Sequence, residues 1–340
     1  MTAVLEVKNL RLWYGTARGS VRAVDDVSLE IAAGSVLGLV GESGSGKSTL
    51  GRGILGLLPD GARADGEVLY KGRNLVGMSQ RELRRLRGPE LGLIFQEPMT
   101  RLNPLLRIEG HFRETLAQHE SKLTDAAIRR RSLDTLGRMG IPPTRFRQYP
   151  HEFSGGMRQR IMIALALVLH PSLLVADEPT TSLDVIVEAQ ILRILADLKQ
   201  NFDTALLLIT HNLGIVAEAC DRVAVMYAGQ IAEEGPARDV FAEPKHPYTR
   251  ELLRSTISLE TKVLHSIPGA PPNLITPPSG CRFHPRCPDV MRICPARDPI
   301  ETQPEPDRRV LCWLHGPESE IPSGGTEPGE RQRIAVAEEA

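Results

Sequence analysis

Residues 35–58 read SVLGLV-GESGSGKS-TLGRGILGLL, and this stretch decides the fold. Ser35 to Val40 is a short unbroken apolar run, the pattern of a strand buried on both faces in a parallel sheet. It passes into a glycine-rich turn and then a helical stretch through Leu58; strand, loop and helix in that order begin an α/β unit. Gly41 to Ser48 fits G-x-x-x-x-G-K-[ST], a loop built for polyphosphate. Several negative charges must be met there without steric obstruction. Gly41, Gly44 and Gly46 let backbone N–H groups turn inward, the helix N-terminus adds its positive end, and Lys47 supplies a full charge. Ser48 offers a hydroxyl to Mg²⁺, and Ser43, Ser45 and Thr49 complete the candidate nucleotide-binding set. A chance match is the competing reading, and the strand before and helix after the loop count against it.

Upstream, Leu5 and Val7, then Val27, Leu29 and Ile31, alternate with polar residues, which predicts an N-terminal antiparallel β-subdomain. Downstream the period changes. Ile108 to His119 and Thr124 to Met139 have helical spacing, with Gly140 where a C-terminal glycine belongs. The α/β rhythm then resumes, with strands at Leu173–Ala176, Ala205–Ile209 and Arg222–Met226 and helices at Val185–Lys199 and Leu213–Ala219. The expectation is an α/β chain: a parallel-sheet core over 1–235 interrupted by a helical subdomain at about 97–164. Residues 236–315 form an irregular, proline-rich extension in which Pro247 is placed to open a short helix through Leu253. Residues 316–340 are too polar to offset their ordering entropy and read as a disordered tail.

Composition narrows the class. The 340 residues carry 41 Lys+Arg against 42 Asp+Glu, a net charge of -1 that argues against a general nucleic-acid binder. The longest apolar run, Ile161 to Leu169, is far below the roughly 20 residues that cross a bilayer. Met1 to Arg11 lacks the apolar centre of a signal peptide. A cytosolic chain is expected, with any membrane role supplied by a partner.

A phosphate-binding loop alone leaves many nucleotide enzymes open. Phe153 to Met157 reads FSGGM, followed by Arg158, Gln159 and Arg160. Ser154, Gly155 and Gly156 before a helix would aim a second helix N-terminus at phosphate, although glycine pairs more often mark turns. Asp177 and Glu178 follow the apolar run LLVA. A carboxylate pair at a strand end suits Mg²⁺ at Asp177 and water at Glu178; the plain alternative is a solvated strand end.

Taken together these motifs resemble the ABC-transporter ATPases over about Leu5 to Gly235, with the P-loop NTPase fold that family implies. By that resemblance Gln96, in LIFQEP, is the glutamine that senses Mg²⁺ or water. Ser182, Leu183 and Asp184 form the loop crossing a dimer interface, and His211, in LLITHN, contacts the γ-phosphate. Tyr14 takes the place of the aromatic that stacks on adenine, with Trp13 as a rival. Phe153 and Met157 stand where many relatives have Leu and Gln, but the Ser-Gly-Gly centre is intact. The family mechanism holds ATP between the loop of one subunit and the Ser-Gly-Gly motif of another; Lys47, Gln96, Glu178 and His211 are the catalytic set it implies.

Together, GESGSGKST, FSGGMRQR, ADEPTTSLDV and KHPYT closely resemble the ATP-binding subunits of dipeptide and oligopeptide importers, a group that also serves nickel, glutathione and sugars. The resemblance implies two integral-membrane permeases and a second ATPase subunit, a paralogue rather than this chain itself. It further implies an extracytoplasmic substrate-binding protein acting indirectly, no nucleic acid, and a peripheral place on the cytoplasmic face of the inner membrane. The rival is a soluble ABC ATPase acting on ribosomes or DNA. Such relatives insert long modules, whereas Gln96 to Ser154 spans only 58 positions.

Four of the five cysteines cluster as Cys281, Cys287, Cys294 and Cys312, spaced C-x5-C-x6-C-x17-C. A reducing cytosol favours metal over disulfide for such a cluster. No C-x2-4-C zinc knuckle is present, while Pro288 and Pro295 follow two of the thiols as in ferredoxin-like sites. The matching region of peptide-importer ATPases is associated with a [4Fe–4S] cluster. That is the expectation, with zinc and unliganded thiols as alternatives. Cys220, in an apolar helical context, reads as a buried structural thiol.

Overall fold

The computed structural model of the chain describes residues 3–95, 102–180, 188, 191, 204–255 and 265–317. Gln96, the Ser182–Leu183–Asp184 loop, almost all of the expected helix at 185–199 and the tail beyond 317 lie outside the described residues.

The N-terminal alternation folds as expected. β1 (Ala3–Thr16) and β2 (Gly19–Ala32) form a long hairpin, and β4 (Arg63–Tyr70) with β5 (Arg73–Asn74) completes a four-stranded antiparallel sheet in the order β2-β1-β4-β5. Leu5 and Val7 point inward, yet so do Leu10 and Leu12, an odd-to-even switch of face. An irregularity between Val7 and Leu10, with Asn9 at φ 47°, inserts the extra residue that makes this switch.

The second sheet has eight strands in the order β11-β12-β10-β9-β3-β8-β7-β6. Its parallel part comprises β3 (Val36–Val40), β6 (Leu91–Ile94), β7 (Leu173–Asp177), β8 (Ala205–Ile209) and β9 (Arg222–Tyr227). Every residue of β3, β7 and β8 is buried, which explains their unbroken apolar runs. Leu37, Leu39, Leu207 and Ile209 pack on one face against the antiparallel sheet and α1 (Lys47–Ile54). The other face lies under α3 (Ile108–His119), α4 (Asp125–Arg138), α5 (Gly155–Leu167) and α6 (Leu213–Ala219). A short α2 (Gln80–Leu86) opens on a reciprocal cap between Ser79 and Glu82.

Helix ends follow local chemistry. Thr124 caps α4 by accepting from the Ala127 N–H, and Gly140, at φ 72°, follows its C-terminus as the sequence suggests. α1 stops at Ile54 rather than Leu58, because Gly56 turns left-handed at φ 64° and sends the chain toward Pro59.

The C-terminal extension is irregular over 265–300 but begins and ends in regular structure. α7 (Ala237–Ala242) and α8 (Pro247–Arg254) follow β10 (Gln230–Pro236), the latter helix opening at Pro247 as expected. The extension closes with a hairpin, β11 (Glu301–Glu305) and β12 (Arg308–Leu311), which pairs antiparallel with β10 and extends the main sheet. Arg308, 2% exposed in its side chain, donates to the wholly buried Glu233 at 2.7 Å, and Arg309 pairs with Glu234. No helix among the described residues is long and apolar enough to cross a membrane.

Candidate active site

β3, β8 and β7 are parallel neighbours, so the segments that leave their C-terminal ends emerge at one edge of the sheet. Those segments are the loop at Gly41, the turn at His211 and the pair Asp177–Glu178. Ligands of open α/β sheets collect along such an edge.

The loop is wedged between two backbones. Gly41 sits at φ 147° with the Met226 carbonyl 2.1 Å from where a Cβ would stand. Gly46, at φ 108°, faces the Ala23 carbonyl at 2.0 Å in the same sense. Only glycine fits either place. Ser43 and Gly44 form the exposed tip, Ser45 is buried, and Ser48 and Thr49 stand half-buried in the first turn of α1. Lys47 is 6% exposed and donates from Nζ to the carbonyls of Gly41 at 2.7 Å and Glu42 at 2.9 Å. Burial lowers its pKa, while Glu178, Asp177 and Glu42 pull it back up.

Ser48 and Asp177, 129 positions apart, meet through a hydrogen bond from Oγ to Oδ1 of 2.7 Å. Asp177 is 2% exposed and also lies 3.5 Å from Arg52. Two adjacent hard oxygens suit Mg²⁺, which is usually held by one or two protein oxygens with phosphate and water filling the rest. Among the described residues no group of three or more His, Cys, Asp or Glu side chains is placed to hold a metal ion. That absence is compatible with so sparse a site. The Glu178 backbone turns left-handed at φ 45° while its N–H donates to the Ile209 carbonyl at 2.9 Å. Its carboxylate lies 3.9 Å from His211 Nδ1, and His211 is two-thirds exposed. Lys47, Ser48, Asp177, Glu178 and His211 therefore converge, a cation and oxygens beside a carboxylate–imidazole pair.

Residues 24–181 match the ABC transporter family, and residues 232–294 match the oligopeptide/dipeptide transporter C-terminal region. The chain is 45% identical to the dipeptide transport ATP-binding protein DppD of Bacillus subtilis, over 94% of this chain and 97% of that protein. It is 47% identical to the oligopeptide transport ATP-binding protein OppD of Salmonella typhimurium, over 91% and 93%. A dimeric bacterial ABC transporter cassette superposes with a TM-score of 0.62 at 27% identity, covering 69% of this chain and 99% of the cassette. The chain belongs to the ABC-transporter ATPases of the oligopeptide/dipeptide type.

In this ABC ATPase, Ser154 is the N-cap of α5, its Oγ accepting from the Met157 N–H at 3.4 Å. Ser154 is exposed, and among the described residues no hydrogen bond or ion pair joins Ser154, Gly155 or Gly156 to the loop at 41–48. The two halves of the expected site thus make no direct polar contact among the described residues. They are linked indirectly: wholly buried Gln159 of α5 donates from Nε2 to the carbonyl of Pro179, next to Glu178. Tyr14 is half-buried near the end of β1, paired with Val21. Trp13, its rival, is already covered by the Arg22 guanidinium 5.2 Å from its ring centroid.

Sequence reading missed the partners of Glu42. Its N–H donates to the buried Tyr248 hydroxyl at 2.9 Å, and its carboxylate takes two hydrogen bonds from Arg286, at 2.7 and 3.0 Å. The partners lie 206 and 244 positions away, so no local signal in the sequence could announce them.

Cys281, Cys294 and Cys312 are buried, Cys287 is half-buried, and none is disulfide-bonded. Burial raises the Cys281 pKa to about 11, that of Cys312 to about 12 and that of Cys287 as well; each also feels neighbouring thiols of the set. The four thiols thus share one region without forming a metal-ion site among the described residues. Neither the expected [4Fe–4S] cluster nor its zinc alternative is therefore shown at these thiols. Cys220 is buried with its pKa pushed to about 12 by desolvation, as befits a structural thiol.

Proposed function

We propose that this ABC ATPase couples ATP binding and hydrolysis to the uptake of dipeptides or oligopeptides through separate membrane permeases. The convergence of Ser48 and Asp177 with Lys47, Glu178 and His211 on one sheet edge carries the ATPase chemistry. The C-terminal match and the names of the relatives support peptides as cargo. Lys47 and the N–H groups of the loop bind the phosphates of ATP, and Tyr14 stacks on adenine. Ser48, Asp177 and Gln96 hold Mg²⁺, which supplies charge neutralisation on the phosphates. Glu178 orients water and takes up its proton, and His211 holds the γ-phosphate end, so catalysis is mainly positioning. Ser154, Gly155 and Gly156 complete the site of a second ATPase subunit, a reading supported by the exposure of Ser154 and by the absence, among the described residues, of a hydrogen bond from the motif to the chain's own loop. In this reading, residues 1–235 are the nucleotide-binding unit with its helical insertion, and 236–315 the importer-specific extension. The assembly stands on the cytoplasmic face of the inner membrane, with a paralogous ATPase, two permeases and, indirectly, a substrate-binding protein. The experiment is to tag the chain in its host, extract membranes in mild detergent and identify what co-purifies. Two multispan permeases with a second ATPase are expected; ribosomes or DNA-repair factors without membrane proteins would overturn the transport reading.

The four cysteines are read as ligands of a [4Fe–4S] cluster. Their shared region, their lack of disulfides and the Met291 N–H directed at Cys294 Sγ, 3.4 Å away, support it. A cluster also spreads its sulfurs more widely than a single ion does, so gathered thiols without a metal-ion site are compatible with it. Protein purified without oxygen should be brown, with iron and broad absorption near about 400 nm. Colourless, iron-free protein would remove the cluster.

A further inference from the structure

The segment that carries the cysteines also reaches the nucleotide loop. Arg286, next to Cys287, is 5% exposed in its side chain and donates two hydrogen bonds to the carboxylate of Glu42, the second residue of that loop. Its placement is overdetermined. Nε donates to the Pro268 carbonyl at 2.7 Å, Nη2 to that of Ile267 at 3.3 Å and Nη1 to the Tyr227 hydroxyl at 3.3 Å. Tyr248 fixes the same loop residue from the backbone side by accepting its N–H. Tyr227, Tyr248 and Phe283 form a ring cluster with centroids 4.5 to 5.3 Å apart beneath these contacts. The segment also grips the hairpin that carries Tyr14: the Leu274 carbonyl accepts from the Arg22 N–H at 2.9 Å, and Arg282 pairs with Asp25.

A carboxylate at this place is a problem for a polyphosphate site. Glu42 lies close enough to Lys47 to act on its charge, so it also lies close to whatever Lys47 attracts. An unscreened anion there repels each phosphate, and most strongly those that stand nearest to it.

We propose that Arg286 is a positioning residue of the ATP site: it cancels the Glu42 charge and, with Tyr248, sets the loop for phosphate. The C-terminal extension is then a structural part of nucleotide binding and more than an appendage of the cassette. The inference rests on the reading of 41–48 as the phosphate-binding loop.

Nucleotide affinity of the full-length chain tests it, by calorimetric titration of MgATP, MgADP and AMP. Arg286→Gln should weaken MgATP by about ten-fold, MgADP by less and AMP little, since Coulomb repulsion falls with distance and AMP lacks the β- and γ-phosphates that the loop and Lys47 hold. Arg286→Lys should recover most of the loss. The mirror variant is Glu42→Gln, which leaves Arg286 uncompensated at some cost in stability and should tighten MgATP several-fold in the folded protein. Glu42→Gln with Arg286→Gln should return near wild type. Wild-type affinity in Arg286→Gln, or an equal loss for all three nucleotides that the double variant does not relieve, overturns the proposal. If Arg286→Gln does not fold, unchanged or weaker MgATP binding by Glu42→Gln overturns it alone. Lys47→Ala separates the two readings. Normal nucleotide binding by that variant would sink the loop assignment itself, whereas its loss beside an unaffected Arg286→Gln would sink only the role of Arg286.

Discussion

Glu178 holds a left-handed backbone, φ 45°, that a side chain adopts at a cost of order 1 kcal/mol. The turn places its carboxylate opposite His211, at 3.9 Å, while the preceding Asp177 stays buried against Ser48. Neighbouring acids thus face different tasks. Glu178→Gln preserves shape and removes the base, so MgATP binding should persist while turnover falls by at least about 10²-fold. Binding and phosphate release on the assembled transporter check this; ordinary turnover would take the catalytic role from Glu178. At this scale the sequence was informative wherever chemistry is contiguous. GESGSGKS and the acid pair after LLVA can each be read within ten residues. Glu42 with Arg286, and Gln159 with Pro179, could not be read, because each pair is joined only by folding.

At the level of elements, α8 shows how a helix start can be legible in part. Pro247 at its first position announces it, since a fixed φ and a missing N–H cost nothing there. The cap is unusual. His246 Nδ1 accepts from the Tyr248 N–H at 2.9 Å, while the backbone N–H groups of Lys245 and His246 both donate to Glu233 at 3.0 Å. Burial, then His315 and Arg250, depress the His246 pKa to about 3 from an ordinary 6.5. The folded imidazole therefore stays neutral where the unfolded one takes a proton. Stability from this residue is complete above about pH 6.5 and is lost below it, by up to about 1.4 kcal/mol per pH unit. The melting temperature should fall between pH 7 and 5, and His246→Asn, another capping residue, should flatten that slope. An unchanged slope in the variant would assign the effect to other groups.

Across the whole molecule, the parallel core was readable because strands buried on both faces are written as apolar runs, as in β3, β7 and β8. The hairpin of β11 and β12 was not, since its first strand reads ETQPE, polar and broken by Pro304. An edge strand tolerates such a sequence because one of its sides pairs with nothing. What makes it a strand is β10, whose buried Glu233 is answered by Arg308 from 75 positions further on. That separation is also an interval of time. At about 5–20 residues per second, a ribosome that has made Glu233 needs roughly 4–15 s to supply the arginine that neutralises it. Until then the sheet edge at β10 is open and the Glu233 charge has only the N–H groups of Lys245 and His246 to answer it. Strands made after the rest of the sheet therefore close its edge, so the cassette matures later than its own motifs are synthesised.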